Sequence, residues 1–314
     1  MPKPEQPHRS LVAIVGPTAV GKSALALYLA EAFSGEIVNA DSRQVYRHMD
    51  IGTAKPSPEE RHRVPHHLVD ILDPNEEFNL ASFLELAQKA IEGIHSCARL
   101  PILVGGTGQY VWALIEGWHV PRVAPDPSLR RKLEAMGREA IYEELERVDP
   151  DSASSIGPSN VRRMVRALEV YYLTGLPFSR TRRRGKAPFQ TLVLGLTTSR
   201  QELYKRIDDK VDSMLAEGWL DEVKGLLDKG YSPTLPSMSS LGYQELASHL
   251  LGKLPLPDAV QRIKLNTHRF ARHQHAWFRS KDPRIWWLDA TPGVEMQAKK
   301  MVAAFLKQSC RMVE

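Results

Sequence analysis

The residues with the clearest chemical potential form the stretch GPTAVGKS, residues 16–23. Its pattern, G-x-x-x-x-G-K-[ST], is typical of a loop that wraps backbone N–H groups around phosphate. Gly16 and Gly21 permit the inward turn of the backbone. Lys22 supplies a positive charge, and Ser23 offers a hydroxyl ligand to Mg²⁺. The loop lies between the apolar run LVAIVG and the helical pattern KSALALYLAEAF, so we predict a phosphate site with Mg²⁺ as cofactor.

Phosphate-loop ATPases and GTPases carry an aspartate at the end of an apolar strand, where it holds Mg²⁺ and water. This sequence lacks that aspartate. The run PILVGG ends in glycines followed by Thr107, which disfavours a nucleotide-hydrolysing enzyme. Asp41 instead follows the run GEIVNA, where small phosphate-loop kinases place an acid beside the acceptor. A carboxylate there can accept a proton from an attacking –OH or –NH group. The alternative role for Asp41 is an N-cap for a following helix.

Three further side chains are candidates for the same site. Thr107 can donate a hydrogen bond to a phosphate or leaving oxygen, or can serve only in a turn. Arg206 and Lys210 lie four residues apart and share a face of a predicted helix, so either can clamp a diphosphate. The alternative is that both are solvated surface charges.

The net charge of +5 is concentrated in one segment. Residues 122–190 contain 14 Lys and Arg against nine Asp and Glu, and residues 152–190 contain eight against the single acid Glu169. In NVRRMVRALE, Arg162 and Arg166 share a helix face, an arrangement that suits the backbone phosphates of RNA. A solvated basic surface without a partner is the alternative.

Strand and helix patterns alternate before residue 122 and again after residue 190, which predicts the α/β class. We expect a phosphate-loop NTPase-like core with a parallel sheet flanked by helices, formed by residues 1–121 and 191–314 with its C-terminal helices. Residues 122–190 begin in a proline-rich stretch and read as a mainly helical insertion. Ligands of parallel sheets bind at the carboxyl ends of the strands. The segments at residues 16, 41 and 105–107 should therefore converge.

Two helix boundaries can be predicted in the core. The amphipathic pattern FNLASFLELAQKAIEGIHS has Asn79 or Ser82 as its N-cap. The stretch from residue 199 to residue 230 reads as one long helix.

Composition limits the classes of protein that this chain can be. No run approaches eighteen apolar residues, and the start MPKPEQPHRS lacks an apolar segment, so we predict neither a membrane span nor a signal peptide. Cys97 and Cys310 are the only cysteines, too few for a disulfide framework or a cysteine-rich zinc site. We expect a cytoplasmic protein without a membrane partner.

Seven motifs occur in order between residues 11 and 288, namely GPTAVGKS, NADSRQVYRHMDIGTAKP, VPHHLVDILDP, ILVGGTGQY, NVRRMVRALE, SMSSLGYQE and RFARHQHAWFR. In these motifs the chain resembles the bacterial tRNA dimethylallyltransferases, also called tRNA isopentenyl transferases. The resemblance implies transfer of a dimethylallyl group from dimethylallyl diphosphate to N6 of adenine 37. The implied partners are the tRNA anticodon stem-loop and dimethylallyl diphosphate, and we expect a monomer.

The resemblance also implies roles for individual residues. Asp41 is similar to the general base that faces the adenine amine, and Thr107 to the threonine near the reacting centre. The diphosphate-binding residues, to which the charge pattern adds Arg206, are Gly16, Pro17, Thr18, Ala19, Val20, Gly21, Lys22 and Ser23. The residues implied in tRNA binding are Asp41, Ser42, Arg43, Gln44, Thr107, Arg130, Arg162, Arg163, Met164, Val165 and Arg166.

Two other functions fit part of the sequence. A small-molecule kinase would bind ATP at the same loop and use Asp41 as its base, but it leaves the basic segment unexplained. A non-catalytic RNA-binding protein would use the basic segment and retain an inactive phosphate loop. The products formed from tRNA with ATP or with dimethylallyl diphosphate distinguish these alternatives.

Overall fold

The computed structural model describes residues 10–121, 123–181 and 183–311, without the side chains of residues 183, 184, 310 and 311. The chain divides into two compact units. The core unit comprises Met1–Ile115 with Pro188–Glu314, and the insertion unit comprises Glu116–Ala187. The insertion predicted from sequence, residues 122–190, differs from this unit by six residues at its start and three at its end.

The core unit contains a six-stranded sheet in which every recorded pairing is parallel, in the order β3-β2-β4-β1-β7-β8. Elements are numbered in chain order through both units. The strands of this sheet are β1 (Ser10–Val15), β2 (Gly35–Asn39), β3 (His66–His67), β4 (Leu100–Val104), β7 (Gln190–Thr197) and β8 (Ile285–Asp289). Strand β1 is buried along its whole length because it pairs with β4 on one side and β7 on the other. The predicted α/β class is confirmed.

Helices flank this sheet, and most of them follow patterns visible in the sequence. They are α1 (Lys22–Ala32), α2 (Pro58–Arg63), α3 (Leu80–Ser96), α4 (Gly108–Ile115), α10 (Arg200–Ala216), α11 (Trp219–Asp228), α12 (Tyr243–Leu250), α13 (Leu256–Trp277) and α14 (Val294–Arg311), with a short 3-10 helix at Ser237–Ser239. Asn79 is the N-cap of α3, since its Oδ1 accepts the N–H groups of Ala81 and Ser82.

The prediction of one long helix between residues 199 and 230 is wrong. Gly218 has a φ of +100°, a left-handed conformation that interrupts the helix and separates α10 from α11. Helix α14 had no counterpart among the predicted elements. Its buried residues Ala298 and Val302 pack in the main core cluster with Leu29 of α1.

The insertion unit is mainly helical. Its elements are β5 (Trp118–His119), α5 (Pro127–Ala135), α6 (Arg138–Val148), α7 (Pro150–Ile156), α8 (Val161–Thr174), α9 (Phe178–Thr181) and β6 (Arg183–Arg184). Strands β5 and β6 pair in antiparallel fashion, which places both ends of the unit together and explains why it begins before the proline-rich stretch. The side chains of Asp126, Asp149 and Asn160 cap three of the helices.

None of the helices in the described part of the chain has the length and apolar character that crossing a bilayer requires.

Candidate active site

The loop formed by residues 16–23 connects β1 to α1 and has the backbone of an anion cradle. Gly16 has a φ of +138°, and a Cβ on it would lie 2.5 Å from the carbonyl oxygen of Leu196 in β7, so only glycine fits. Helix α1 begins at Lys22 without a side-chain cap hydrogen bond. Its first N–H groups therefore add to the donors that an anion at this loop can use.

A cavity of about 420 Å³, here called the phosphate cavity, lies over this loop. From the loop it is lined by Thr18, Ala19, Gly21, Lys22 and Ser23, and from other segments by Asp41, Arg206, Asp209 and Lys210 among others. Of the predicted loop residues, Gly16, Pro17 and Val20 are buried and shape the loop from behind. Both candidate clamp residues thus reach the cavity, and Arg206 also donates to Glu202 at 2.7 Å.

Lys22 and Lys210 contribute positive charge to the phosphate cavity, which Arg206 also lines. Lys22 Nζ donates to the carbonyl oxygen of Pro17 at 2.7 Å. Burial lowers the pKa of Lys22 to about 8, although the Asp41 carboxylate opposes this shift. Burial also lowers the pKa of Lys210, again against the effect of Asp41. An anion in the cavity would favour the charged form of both lysines.

A second cavity of about 510 Å³, here called the aromatic chamber, adjoins the first. Its lining includes the aromatic side chains of Trp219, Phe270 and Trp277 together with Thr107 and Met214. Both cavities are lined by Thr18, Ala19, Asp41, Thr53, Ala54, Gly106 and Lys210. The Asp41 carboxylate therefore lies in the wall that an anion site and an apolar chamber share.

Asp41 is held in a turn at the end of β2. Its N–H donates to Oδ1 of Asn39 at 2.9 Å, and its own Oδ1 accepts the N–H of Arg43 at 2.8 Å. Residues 42–48 form bends, turns and a single bridge, so Asp41 stabilises a turn rather than capping a helix. Thr107 Oγ1 accepts the N–H of Ser42 at 3.3 Å. The ends of β2 and β4 thus meet, as the parallel topology predicts.

The two residues that follow Ser42 use their side chains to hold neighbouring loops. Arg43 donates to the carbonyl oxygen of Pro236 at 2.6 Å, and Gln44 donates to the carbonyl oxygens of Thr53 and Ala54 at 3.1 and 3.0 Å. The predicted roles of Ser42, Arg43 and Gln44 in tRNA binding stay predictions.

The predicted tRNA-binding residues of the insertion unit fall into different environments. Glu169 is fully buried and accepts hydrogen bonds from Arg130 at 2.8 and 2.9 Å and from Arg166. Burial opposes ionisation of Glu169, but these two arginines outweigh it and lower its pKa. Arg162 and Arg163 are exposed at the start of α8.

Met164 and Val165 are poor candidates for tRNA contact. Their side chains are 0% and 3% exposed and pack in the core of the insertion unit with Ile141 and Leu145. Their side chains therefore do not form part of an exposed RNA-binding surface, and the role of this segment in tRNA binding stays a prediction. The resemblance implies the whole segment 162–166, whereas successive residues of a helix point in different directions.

Mg²⁺ fits the donor set of the phosphate cavity only together with a phosphate ligand. The described residues contain no group of three or more His, Cys, Asp or Glu side chains that could hold a metal. The hydroxyl of Ser23 lines the cavity at the start of α1. Mg²⁺ commonly binds through few protein oxygens plus substrate phosphates, so this arrangement suits it.

Three residues that organise the site were missed in the sequence. Asn39 holds the Asp41 turn, Glu222 of α11 accepts backbone N–H groups from residues 50–52, and Gln274 of α13 reaches the phosphate loop. A usable signal existed for Gln274, because it lies three residues after Ala271 on the helix face that is buried.

Comparisons with known proteins agree with this geometry. A family model described as IPP transferase matches residues 44–281, and one described as isopentenyl transferase matches residues 9–67. The chain belongs to the IPP transferase family. It is 53% identical over 297 residues to the tRNA dimethylallyltransferase of Roseiflexus castenholzii, covering 93% of this chain and 97% of that protein. These matches confirm the resemblance that the seven motifs indicate.

Solved structures of IPP transferase relatives share the fold. The tRNA isopentenylpyrophosphate transferase of Bacillus halodurans is 41% identical, with a TM-score of 0.73 over 97% of this chain and 99% of that one. A eukaryotic dimethylallyltransferase acting on tRNA is 33% identical, with a TM-score of 0.79 over 94% of this chain and 77% of that one. The kinase alternative receives no support from these matches.

Proposed function

We propose that the protein transfers a dimethylallyl group from dimethylallyl diphosphate to N6 of adenine 37 in tRNA. The observation that carries this proposal is the position of Asp41 in the wall shared by the phosphate cavity and the aromatic chamber. A diphosphate in the first and an adenine in the second would meet beside that carboxylate. The names of the relatives, tRNA dimethylallyltransferases, support the same reaction.

The reaction forms a bond between N6 and C1 of the dimethylallyl group and breaks the C1–O bond, whose electron pair leaves with the diphosphate. Asp41 takes the proton that N6 loses. The N–H groups of the 16–23 loop and the Lys22 ammonium stabilise the charge that develops on the leaving diphosphate. Arg206 and Lys210 line the same cavity and are placed to assist. Mg²⁺ at Ser23, when bound, would supply further positive charge there.

The acceptor base must leave its stack in the anticodon loop to reach the chamber. The exposed aromatic side chains of Phe270 and Trp277 suit the faces of a base. Arg162 and Arg163, exposed on α8, suit the backbone phosphates of the stem-loop. We propose that the protein acts in the cytoplasm as a monomer. The phosphate loop, Asp41 and the chamber all belong to the core unit, so the proposed reaction requires no residue from a second copy.

The test uses an unmodified anticodon stem-loop RNA, Mg²⁺ and either dimethylallyl diphosphate or ATP. Nuclease digestion and mass spectrometry are expected to find isopentenyladenosine at position 37 with the first donor and no phosphorylated product with ATP. A matched RNA with inosine at position 37, which lacks the amine, should give no product. Phosphate transfer from ATP without isopentenyladenosine would contradict the proposal.

A further inference from the structure

The side chain of Gln274 connects the two loops on which the proposed reaction depends. It is 3% exposed and projects from α13. Its Oε1 accepts the N–H of Thr18 at 2.8 Å, and its Nε2 donates to the carbonyl oxygen of Gly106 at 3.0 Å. Thr18 and Gly106 are 256 and 168 residues away from Gln274 in the sequence. The side-chain amide of one residue therefore links two loops that are both distant from it in the sequence.

The chemistry of the two partners specifies an amide. Thr18 offers a donor and Gly106 an acceptor, and the two ends of a glutamine amide carry one acceptor and two donors. A carboxylate would meet the Thr18 N–H but oppose the carbonyl oxygen of Gly106. A Cβ on residue 106 would lie 2.1 Å from Gln274 Nε2, so glycine at this position admits the amide.

The two loops that Gln274 contacts are those proposed to hold the diphosphate and the acceptor base. Thr18 belongs to the loop proposed to hold the leaving diphosphate, and Gly106 precedes Thr107, whose Oγ1 accepts the N–H of Ser42 beside Asp41. Helix α13 also supplies Phe270, His273 and Trp277 to the aromatic chamber. The amide thus couples the diphosphate loop, the acceptor loop and the chamber wall.

We propose that Gln274 is a positioning residue that sets the distance between the bound diphosphate ester and the acceptor amine. This inference rests on the proposed dimethylallyl transfer. Loss of the amide would leave each loop able to bind its substrate while the reacting atoms are misplaced. Small displacements of reacting groups reduce rates strongly with little effect on binding.

The test measures single-turnover dimethylallyl transfer at saturating RNA and dimethylallyl diphosphate. Gln274→Met, which keeps the length and removes both hydrogen bonds, should lower the rate constant about 10-fold or more while the Kd for RNA stays within about twofold. Gln261→Met, the same change at an exposed position of α13, should leave both values unchanged. If the parent forms no product, the proposed function fails; if the parent is active and Gln274→Met keeps its full rate, this inference fails.

A second variant disturbs the same contact from the other side. Gly106→Ala places a methyl group against Gln274 Nε2 and should slow the reaction with residue 274 unchanged. Gln274→Ser shortens the side chain and so removes the clash with the new methyl group. The rate of the double variant, Gly106→Ala with Gln274→Ser, should therefore be no lower than that of the slower of the two single variants. Rate losses that multiply in the double variant, or full activity of Gly106→Ala, would overturn the inference even if Gln274→Met does not fold.

Discussion

At the scale of single residues, Asp41 is oriented by main-chain hydrogen bonds. Its Oδ1 accepts the N–H of Arg43, and its N–H is held by Asn39. Because Oδ1 already accepts this hydrogen bond, Oδ2 is the oxygen that we propose for proton transfer from the acceptor amine.

Asp41→Asn should separate the structural role of this residue from its chemical role. The amide oxygen can still accept the N–H of Arg43, but the side chain can no longer take a proton. The single-turnover rate constant is expected to fall about 10²–10⁴-fold with the melting temperature nearly unchanged. Asp228→Asn, at an exposed position in the same unit, is the control and should retain full activity. An Asp41→Asn variant that keeps the parental rate would exclude Asp41 as the base.

The lowered pKa of Lys22 predicts how diphosphate binding responds to pH. Binding an anion raises the pKa of Lys22, so affinity is full below pH 8 and falls as pH rises above it. The last ionisation of a diphosphate ester, at its terminal phosphate and near pH 6, is complete in this range. We expect calorimetry with dimethylallyl diphosphate, in the absence of RNA, to show a loss of affinity of about tenfold for each unit above pH 8. Lys22→Met should bind more weakly and show a smaller decline, carried by Lys210.

At the scale of elements, α11 stabilises a loop of the chamber through one carboxylate. Glu222 accepts the N–H groups of Asp50 and Ile51 at 2.7 Å and of Gly52 at 3.3 Å, and the hydroxyl of Tyr243 at 2.6 Å. Gly52 lines the aromatic chamber. The interruption at Gly218 lets α11 begin in a new direction and bring Glu222 to this loop.

Glu222→Ala should destabilise the protein because four donors lose one charged acceptor. Hydrogen bonds to charged groups contribute about 1.5–3 kcal/mol, and we expect a loss of about 2–3 kcal/mol in the free energy of unfolding. Urea denaturation measures this loss. Asp221→Ala, one residue earlier and exposed, should change stability by less than about 1 kcal/mol. Equal effects of the two variants would contradict the anchoring role of Glu222.

The arginines of helix α8 lie in two different environments. Arg166 pairs with the buried Glu169, so its removal leaves that carboxylate with weaker compensation. Arg162 and Arg163 are exposed, and we propose that they contact phosphate oxygens of RNA. Their side chains lie on the surface of the insertion unit, whereas Met164 and Val165 lie in its core.

Removing the exposed pair should affect RNA binding without affecting stability. Arg162→Ala combined with Arg163→Ala is expected to weaken stem-loop binding and to reduce the slope of log K against log salt by about 1 for each lost phosphate contact. Arg166→Ala should instead lower the free energy of unfolding. Fluorescence anisotropy at several salt concentrations, paired with denaturation, measures both. Unchanged salt dependence in the double variant would reject its assignment to RNA.

At the scale of the whole molecule, the sequence alone predicts the fold class and the convergence of the strand ends at one site. Apolar runs ending in glycine or polar residues mark β1, β2 and β4, and parallel topology brings their ends together. The break at Gly218 and helix α14 were not predicted. A glycine within a helical pattern does not reveal its φ, and the pattern of α14 depends on packing against distant strands and α1.

The candidate site was predictable where chemistry is local and unpredictable where it depends on distant contacts. The phosphate loop can be identified from its sequence motif because its hydrogen-bond donors lie in consecutive residues. Gln274 contacts Thr18 across 256 residues, Glu222 contacts residues 50–52 across 170 to 172 residues, and Glu169 contacts Arg130 across 39 residues. A single sequence does not show these partners, although the buried helix face marks Gln274 itself. Arg130 and Arg166 pair with Glu169 in the structure, and their predicted role in tRNA binding stays a prediction.

The hydrogen bond between Lys22 and the carbonyl oxygen of Pro17 has a consequence for turnover. A lysine already held within its own loop does not have to be ordered when a diphosphate arrives, so little of the binding energy is lost to ordering. We expect the same loop to retain the diphosphate after the C–O bond breaks, so that release of diphosphate is slower than the chemical step. A burst of modified RNA should then precede a slower steady state.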